Sequence, residues 1–235
     1  MELNIRNQVS RRNLVSDSSI AALFDMDNTL LSASSGRLYL KWLRETGQLP
    51  LHRWAYISGQ VGLYIIGATD FPKLMSRLMV YAAGSDEAEA WRMSEAWFQS
   101  MLRHHIAPKG IERIAWHRQQ GHHIVIISAA TPYAVKPVAE ALGPDIAYLA
   151  TELETQNGRF TGGLREPACY GEGKVALANL YAAEHGVDLS QSYFYSDSVS
   201  DMPLLEAVGH PVAVNPSRKL ARIAAERNWP VMKFY

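Results

Sequence analysis

Short apolar runs that stop abruptly on polar or small residues recur along the chain. Residues 20–24 (Ile-Ala-Ala-Leu-Phe) run into Asp25, and residues 124–127 (Ile-Val-Ile-Ile) lie between Gly121 and Ser128. The segment Ser192–Ser196 holds Tyr-Phe-Tyr, and Pro211–Val214 is stopped by Pro216. An uninterrupted apolar run of four to five residues suits a strand buried on both faces, as in a parallel sheet. Amphipathic helical patterns fall at about 132–142, 173–185, 202–208 and 217–227. Strands alternating with such helices predict an α/β fold, a Rossmann-like parallel sheet with helices on both faces.

Residues 32–103 read differently. Leu38, Leu40, Trp42 and Leu43, then Leu74, Leu78 and Met79, then Trp91, Ala96, Trp97 and Met101 recur at helical spacing, with no comparable strand run. This predicts an all-helical cap inserted between the first two strands, with 18–31 and 104–235 forming the core. Within it, Trp54–Ala68 is the most apolar stretch. It contains three glycines and falls short of the ~20 residues of a spanning helix, so a buried or interfacial helix is expected and no membrane span. Asn157-Gly158 between alternating runs predicts a hairpin within 147–165. Residues 1–17 are polar, lack the apolar run of a secretory signal, and read as a flexible leader.

Composition narrows the picture. Of 235 residues, 48% are apolar and 20% charged, ordinary for a globular protein. Lys plus Arg and Asp plus Glu balance at 23 each, so no global basic field draws nucleic acid. Cys169 is the single cysteine, which excludes an intrachain disulfide and a Cys-rich zinc site. A cytoplasmic location is the expectation.

The strand ends carry the candidate chemistry. Asp25-Met26-Asp27-Asn28-Thr29 follows the first strand, where ligands bind in an open parallel sheet. Two carboxylates so close repel, and a divalent cation relieves that; a solvated turn would read the same in isolation. Ser128 follows the second strand, and Ala129 and Ala130 behind it leave room for backbone N–H groups to approach a phosphate. Lys174, in Gly-Glu-Gly-Lys, opens a helical pattern where dipole and ammonium both favour an anion. It could otherwise be a surface lysine. Asp197 and Asp201 follow the third strand, in a stretch that could also be an Asx turn with a helix N-cap. All four segments, each at a strand end or helix start, make a site the better reading.

In these residues the chain resembles the haloacid dehalogenase superfamily, subfamily IB, the phosphoserine-phosphatase-like branch. The resemblance rests on Asp25-Met26-Asp27-Asn28-Thr29-Leu30, Ser128, Lys174 and Asp197 with Asp201. It implies Mg²⁺ and a two-step phosphoryl transfer that hydrolyses a small phosphorylated metabolite. Asp25 would be the nucleophile and Asp27 the general acid and base. Ser128, Ala129 and Lys174 would hold the phosphoryl group. Asp25, Asp27 and Asp197 would bind the metal, with Asp201 supporting them. A phosphotransferase or phosphomutase of the same superfamily, or a non-catalytic phosphate- and Mg²⁺-binding regulator, are the alternatives.

Substrate identity is less marked. Phosphoserine phosphatases carry an acidic residue soon after the first motif, whereas Leu31–Arg37 here has none. Phosphoserine, histidinol phosphate and related metabolites all stand as candidates. Ser34, Arg37 and Arg53 are the candidate substrate contacts, and Lys41 is a further one. His104-His105 and His122-His123 are poorly spaced as metal ligands, since neighbours in a strand face opposite ways.

Overall fold

In the computed structural model, residues 19–66, 68, 69 and 71–235 are described; the expected leader, 1–17, lies outside them. Strands β1 (Ala21–Phe24), β2 (His123–Ile127), β3 (Ile146–Leu149), β6 (Tyr193–Ser196), β7 (His210–Val214) and β8 (Val231–Met232) form one sheet in the order β3-β2-β1-β6-β7-β8. Each neighbouring pair is parallel. The chain builds outward from β1 to β3 on one side, then returns through β6 to the other. The sheet order therefore reverses at β1, and the carboxyl end of β1 is where a ligand crevice opens.

Side-chain alternation explains why helices cover both faces. Ala22, Phe24, Ile124, Ile126, Tyr195 and Val212 pack into one apolar cluster with Ile114 of α5 (Pro108–Gln119) and Val135 and Val138 of α6 (Pro132–Leu142). Ala21, Leu23, Val125, Ile127, Phe194 and Ala213 point the other way. They meet Ala178 and Tyr181 of α7 (Glu172–His185), Leu204 and Leu205 of α8 (Met202–Ala207), and Leu220 and Ala224 of α9 (Arg218–Glu226). Strands buried on both faces need the continuous apolar runs that the sequence shows.

Between β1 and β2 lie α1 (Ser35–Glu45), α2 (Leu51–Ile65), α3 (Phe71–Met79) and α4 (Glu87–Ser100), with a 3₁₀ turn at Val80–Ala82. The chain leaves and rejoins the sheet region side by side: Leu31 bridges Ile106, Ser32 N donates to His105 O (2.8 Å), and Ala107 N donates to Leu30 O (2.8 Å). The far end of the insert is tied as well. Strands β4 (Leu153–Gln156) and β5 (Arg159–Leu164) form the expected hairpin, with Asn157 and Gly158 both at positive φ. Glu87 N donates to Gly158 O (2.9 Å) and Phe160 N to Ser85 O (3.1 Å).

One reading changes, one helix went unread, and one expectation narrows. Residues 146–149 belong to the main parallel sheet, and only the following residues form the hairpin. The helix at 108–119 lacks a strong apolar stripe, since its buried residues are Gly110, Ile114 and His117. The apolar stretch that begins at Trp54 is helical but not buried: Trp54, Tyr56 and Leu63 are exposed.

Candidate active site

Parallel pairing fixes the relative heights of the strand ends. Phe24 lies beside Ile126 on one side and Tyr195 on the other. The residues that follow these strands therefore emerge on one edge: Asp25 after β1, Ser128 after β2, Asp197 after β6. Asp25 N donates to Tyr195 O at 2.9 Å, which continues the ladder and pins the carboxylate at the rim. The next residues turn sharply, with Asn28 at φ 55°.

Lys174 is the centre of the cluster. It is 1% exposed, and its Nζ lies 2.7 Å from Asp25 Oδ1 and 2.8 Å from Asp201 Oδ2. Gly171, at φ +53°, starts α7, and a side chain on Gly173 would collide with the Ala168 carbonyl oxygen. These glycines let the first turn of α7 sit tightly against the preceding loop and aim Lys174 inward. Asp201 also accepts from Ser196 Oγ (2.7 Å). Asp27 is held from the insert, accepting from Ser35 N and Ser35 Oγ, both at 3.0 Å, at the start of α1. Ser128 is buried, its N donates to Leu149 O (2.9 Å), and its Oγ accepts from Ala130 N (3.2 Å).

Electrostatics follow from this crowding. Burial pushes the Asp25 pKa well up; Lys174 opposes this, while Asp201 and Asp197 add to it. Burial also raises Asp27, against the two Ser35 bonds. Asp197 is pushed up to about 7 by burial and then by Asp201. Burial alone would lower the Lys174 pKa, but Asp201 and Asp25 outweigh it and hold the ammonium charged. Burial raises Cys169 to about 12, so this thiol is inert.

Four carboxylates thus share one ammonium. Among the described residues no group of three or more His, Cys, Asp or Glu side chains is arranged as a metal cage. The donor set is nonetheless all oxygen and short of positive charge. That suits Mg²⁺, which takes one or two carboxylates and fills its shell with waters and phosphate oxygens.

Ser34 sits just before α1, beside Asp27; the other expected substrate contacts lie elsewhere. Arg37 is exposed on α1. Arg53 is on α2 with its guanidinium over the Tyr81 ring, 6.0 Å from the centroid, and Lys41 pairs with Glu45 at 3.8 Å. Sequence reasoning missed Ser35, Ser196 and Asn215. Asn215 follows β7 at φ 42°, its Nδ2 donates to Asn28 O (3.4 Å), and Tyr235 Oη donates to the same carbonyl (3.0 Å). The strand-end rule, applied to β7 as well, would have flagged Asn215.

Comparison with known proteins gives a consistent picture. The family model for haloacid dehalogenase-like hydrolases matches residues 22–206. A probable phosphatase of Mycobacterium tuberculosis is 33% identical over 219 residues, 91% of this chain and 75% of its own. A histidinol-phosphatase of Neisseria meningitidis is 30% identical, covering 91% of this chain and 98% of its own. A Bordetella pertussis protein of unknown function has a structure that superposes with a TM-score of 0.85 at 30% identity, over 92% of this chain and 98% of that one.

Proposed function

The chain belongs to the haloacid dehalogenase-like hydrolases, in their phosphoserine-phosphatase-like branch, and on that premise we propose that Asp25 is the nucleophile that takes the phosphoryl group from a small phosphomonoester. The observation that carries this is the buried Lys174 ammonium shared between Asp25 and Asp201. It presents one Asp25 oxygen at the sheet's ligand edge with a fixed cation beside it. A carboxylate that attacks a phosphate dianion meets repulsion, and phosphoryl transfer depends mostly on positioning and charge neutralisation.

In the first step an Asp25 oxygen bonds to phosphorus and the bond to the leaving oxygen breaks. Asp27 gives its proton to that oxygen. Burial raises its pKa, which favours the proton-bearing form that an acid needs. In the second step Asp27, now a carboxylate, takes a proton from water. The water oxygen bonds to phosphorus, inorganic phosphate leaves, and both aspartates return to their starting forms. Ser128 Oγ, the Ala129 N–H and Lys174 would hold the phosphoryl oxygens. Mg²⁺, held by the Asp25 and Asp197 carboxylates and the Asp27 carbonyl with Asp201 behind, would offset the excess negative charge. Residues 18–31 and 104–235 serve as the catalytic core and 32–103 as the cap over it.

Histidinol phosphate is the favoured substrate over phosphoserine. The turn into α1 offers Ser34 and Ser35, with Ser35 already spent on Asp27, and lacks the acidic residue that phosphoserine phosphatases carry soon after the first motif. The likeness to a histidinol-phosphatase over nearly that protein's whole length points the same way. Kinetics on a panel of phosphomonoesters test this. With Mg²⁺ present, an aryl phosphate should be turned over by the wild type and not by Asp25→Asn. Histidinol phosphate should exceed phosphoserine in kcat/KM by tenfold or more on the order expected for one mismatched polar contact. Equal values, or preference for phosphoserine, would reject the substrate reading and leave the chemistry standing.

A further inference from the structure

Lys174 projects from a stretch with little stiffness of its own. Gly171 and Gly173 come just before it, and no side chain caps the N–H groups at the start of α7. Glycines give a chain the most freedom to lose on ordering. A buried ammonium that meets two carboxylates at 2.7 and 2.8 Å needs such a stretch braced from outside.

The bracing comes from two bodies. From the core, Cys169 N donates to Thr151 Oγ1 at 3.1 Å, with both residues fully buried. Tyr170 N then donates to Ala168 O (2.7 Å), and the Tyr170 carbonyl accepts from Gly173 N (2.9 Å). That last bond closes the turn that carries Lys174, whose own N donates to Gly171 O (3.1 Å). From the insert comes Phe71, the first residue of α3. Its ring stacks on the Tyr170 ring, with centroids 4.6 Å apart and planes 15° from parallel. The other end of α3 is held too. A Cβ on Gly162 of β5 would lie 3.2 Å from Ala83 Cβ and 3.5 Å from Met79 O, so this end rests against the hairpin.

We propose that Phe71 and Tyr170 are positioning residues for the Lys174 ammonium, acting as a pair across the boundary between insert and core. This rests on the reading above, in which Lys174 holds phosphoryl oxygens. Tyr170 sets the turn through its carbonyl, and Phe71 fixes Tyr170. Stacked rings contribute beyond the area they bury, and losing either one frees the same turn.

A double-mutant cycle on the full chain, with Mg²⁺ in every buffer, tests the pair. Phe71→Leu and Tyr170→Leu should each lower kcat/KM for an aryl phosphate about three- to tenfold, the worth of one aromatic pair. The double variant should be no worse than the poorer single one. Inorganic phosphate is the second probe, its affinity read by calorimetry. It should weaken by the same factor in all three variants, because it needs Lys174 and has no leaving group for the insert to grip. A role confined to packing would lower thermal midpoints and leave phosphate affinity at its wild-type value. Tyr170→Phe keeps the ring and should match wild type in both readouts. Losses that multiply, unchanged phosphate affinity, or no loss at all would overturn the proposal. Asp25→Asn reports separately on the nucleophile: if it turns over substrate, that reading fails while the phosphate cycle still decides this one.

Discussion

Strand β1 ends between two buried polar clusters made of similar materials and put to different use. On one side Asp25 joins Lys174, Asp201 and Asp197. On the other the Phe24 ring stacks on Tyr195 (4.5 Å) and meets His117 edge-on (5.9 Å). There Arg113 Nε donates to Tyr195 Oη at 2.7 Å, Tyr195 Oη lies 2.8 Å from His117 Nε2, and His117 Nδ1 lies 2.8 Å from His122 Nδ1. A neutral His117 suits that chain, since one of its ring nitrogens donates and the other accepts. Burial, then Arg113 and His122, lowers its pKa to about 3. Both clusters hold strongly shifted groups, so a shifted pKa alone does not mark the chemistry. The histidine cluster balances its donors and acceptors and needs nothing more. The aspartate cluster has more negative charge than its one lysine can offset, and that deficit is an invitation to a cation, which a phosphate needs before it can approach.

The sharpest way to separate them is Lys174→Met. It strands buried carboxylates without their ammonium, which should cost about 3–5 kcal/mol in urea unfolding. Activity should fall on the order of 10²–10³-fold, as when one charge-stabilising donor is lost. If activity survives, the two clusters are alike and both are structural. Next comes Tyr195→Phe, which leaves Arg113 Nε and His117 Nε2 unpaired. A loss of about 1–3 kcal/mol is expected, with kcat/KM held within about twofold; a large kinetic loss would break the contrast.

The last test is a pH slope. The folded His117 pKa lies below the ordinary value of 6.5, so the unfolded chain takes up the proton first. The stability that depends on neutral His117 is intact above about pH 6.5 and drains away as pH falls toward 3. The slope approaches about 1.4 kcal/mol per pH unit for one proton. His117→Gln should remove that component. The difference between the two stability curves isolates it from the aspartates, whose raised pKa values act in the opposite sense. Parallel curves would contradict the assignment.

Much of this architecture was legible beforehand, and the reasons are physical. Strands β1, β2, β6 and β7 are covered on both faces, so their sequences are continuous apolar runs with abrupt ends. Strand β3 has the same apolar run (Ile-Ala-Tyr-Leu), with Ile146 and Tyr148 in one cluster and Ala147 and Leu149 in the other, but it lies just before the hairpin and was read with it; β8, two residues long, has no period to read. Lys174 and Asp25 meet across 149 residues; a strand end and a helix start flagged them separately, and the family resemblance put them in one site. Ser35 was not found, because a serine at the start of an inserted helix looks like any N-cap. His117 and His122 meet around the end of α5, a contact no spacing rule describes. The Trp54–Ala68 stretch was expected to be buried or interfacial; the exposure of Trp54, Leu63 and Ile66 removes the first option.

What matters most is whether phosphate is carried by residue 25. Wild-type enzyme mixed with an aryl phosphate, quenched during turnover and reduced with borohydride, can be mapped by peptide mass spectrometry. An acyl phosphate at Asp25 is converted to homoserine at that position, and the account predicts this change there alone, absent without substrate. An unmodified residue 25, with phosphate recovered on a histidine or on no residue, would contradict it.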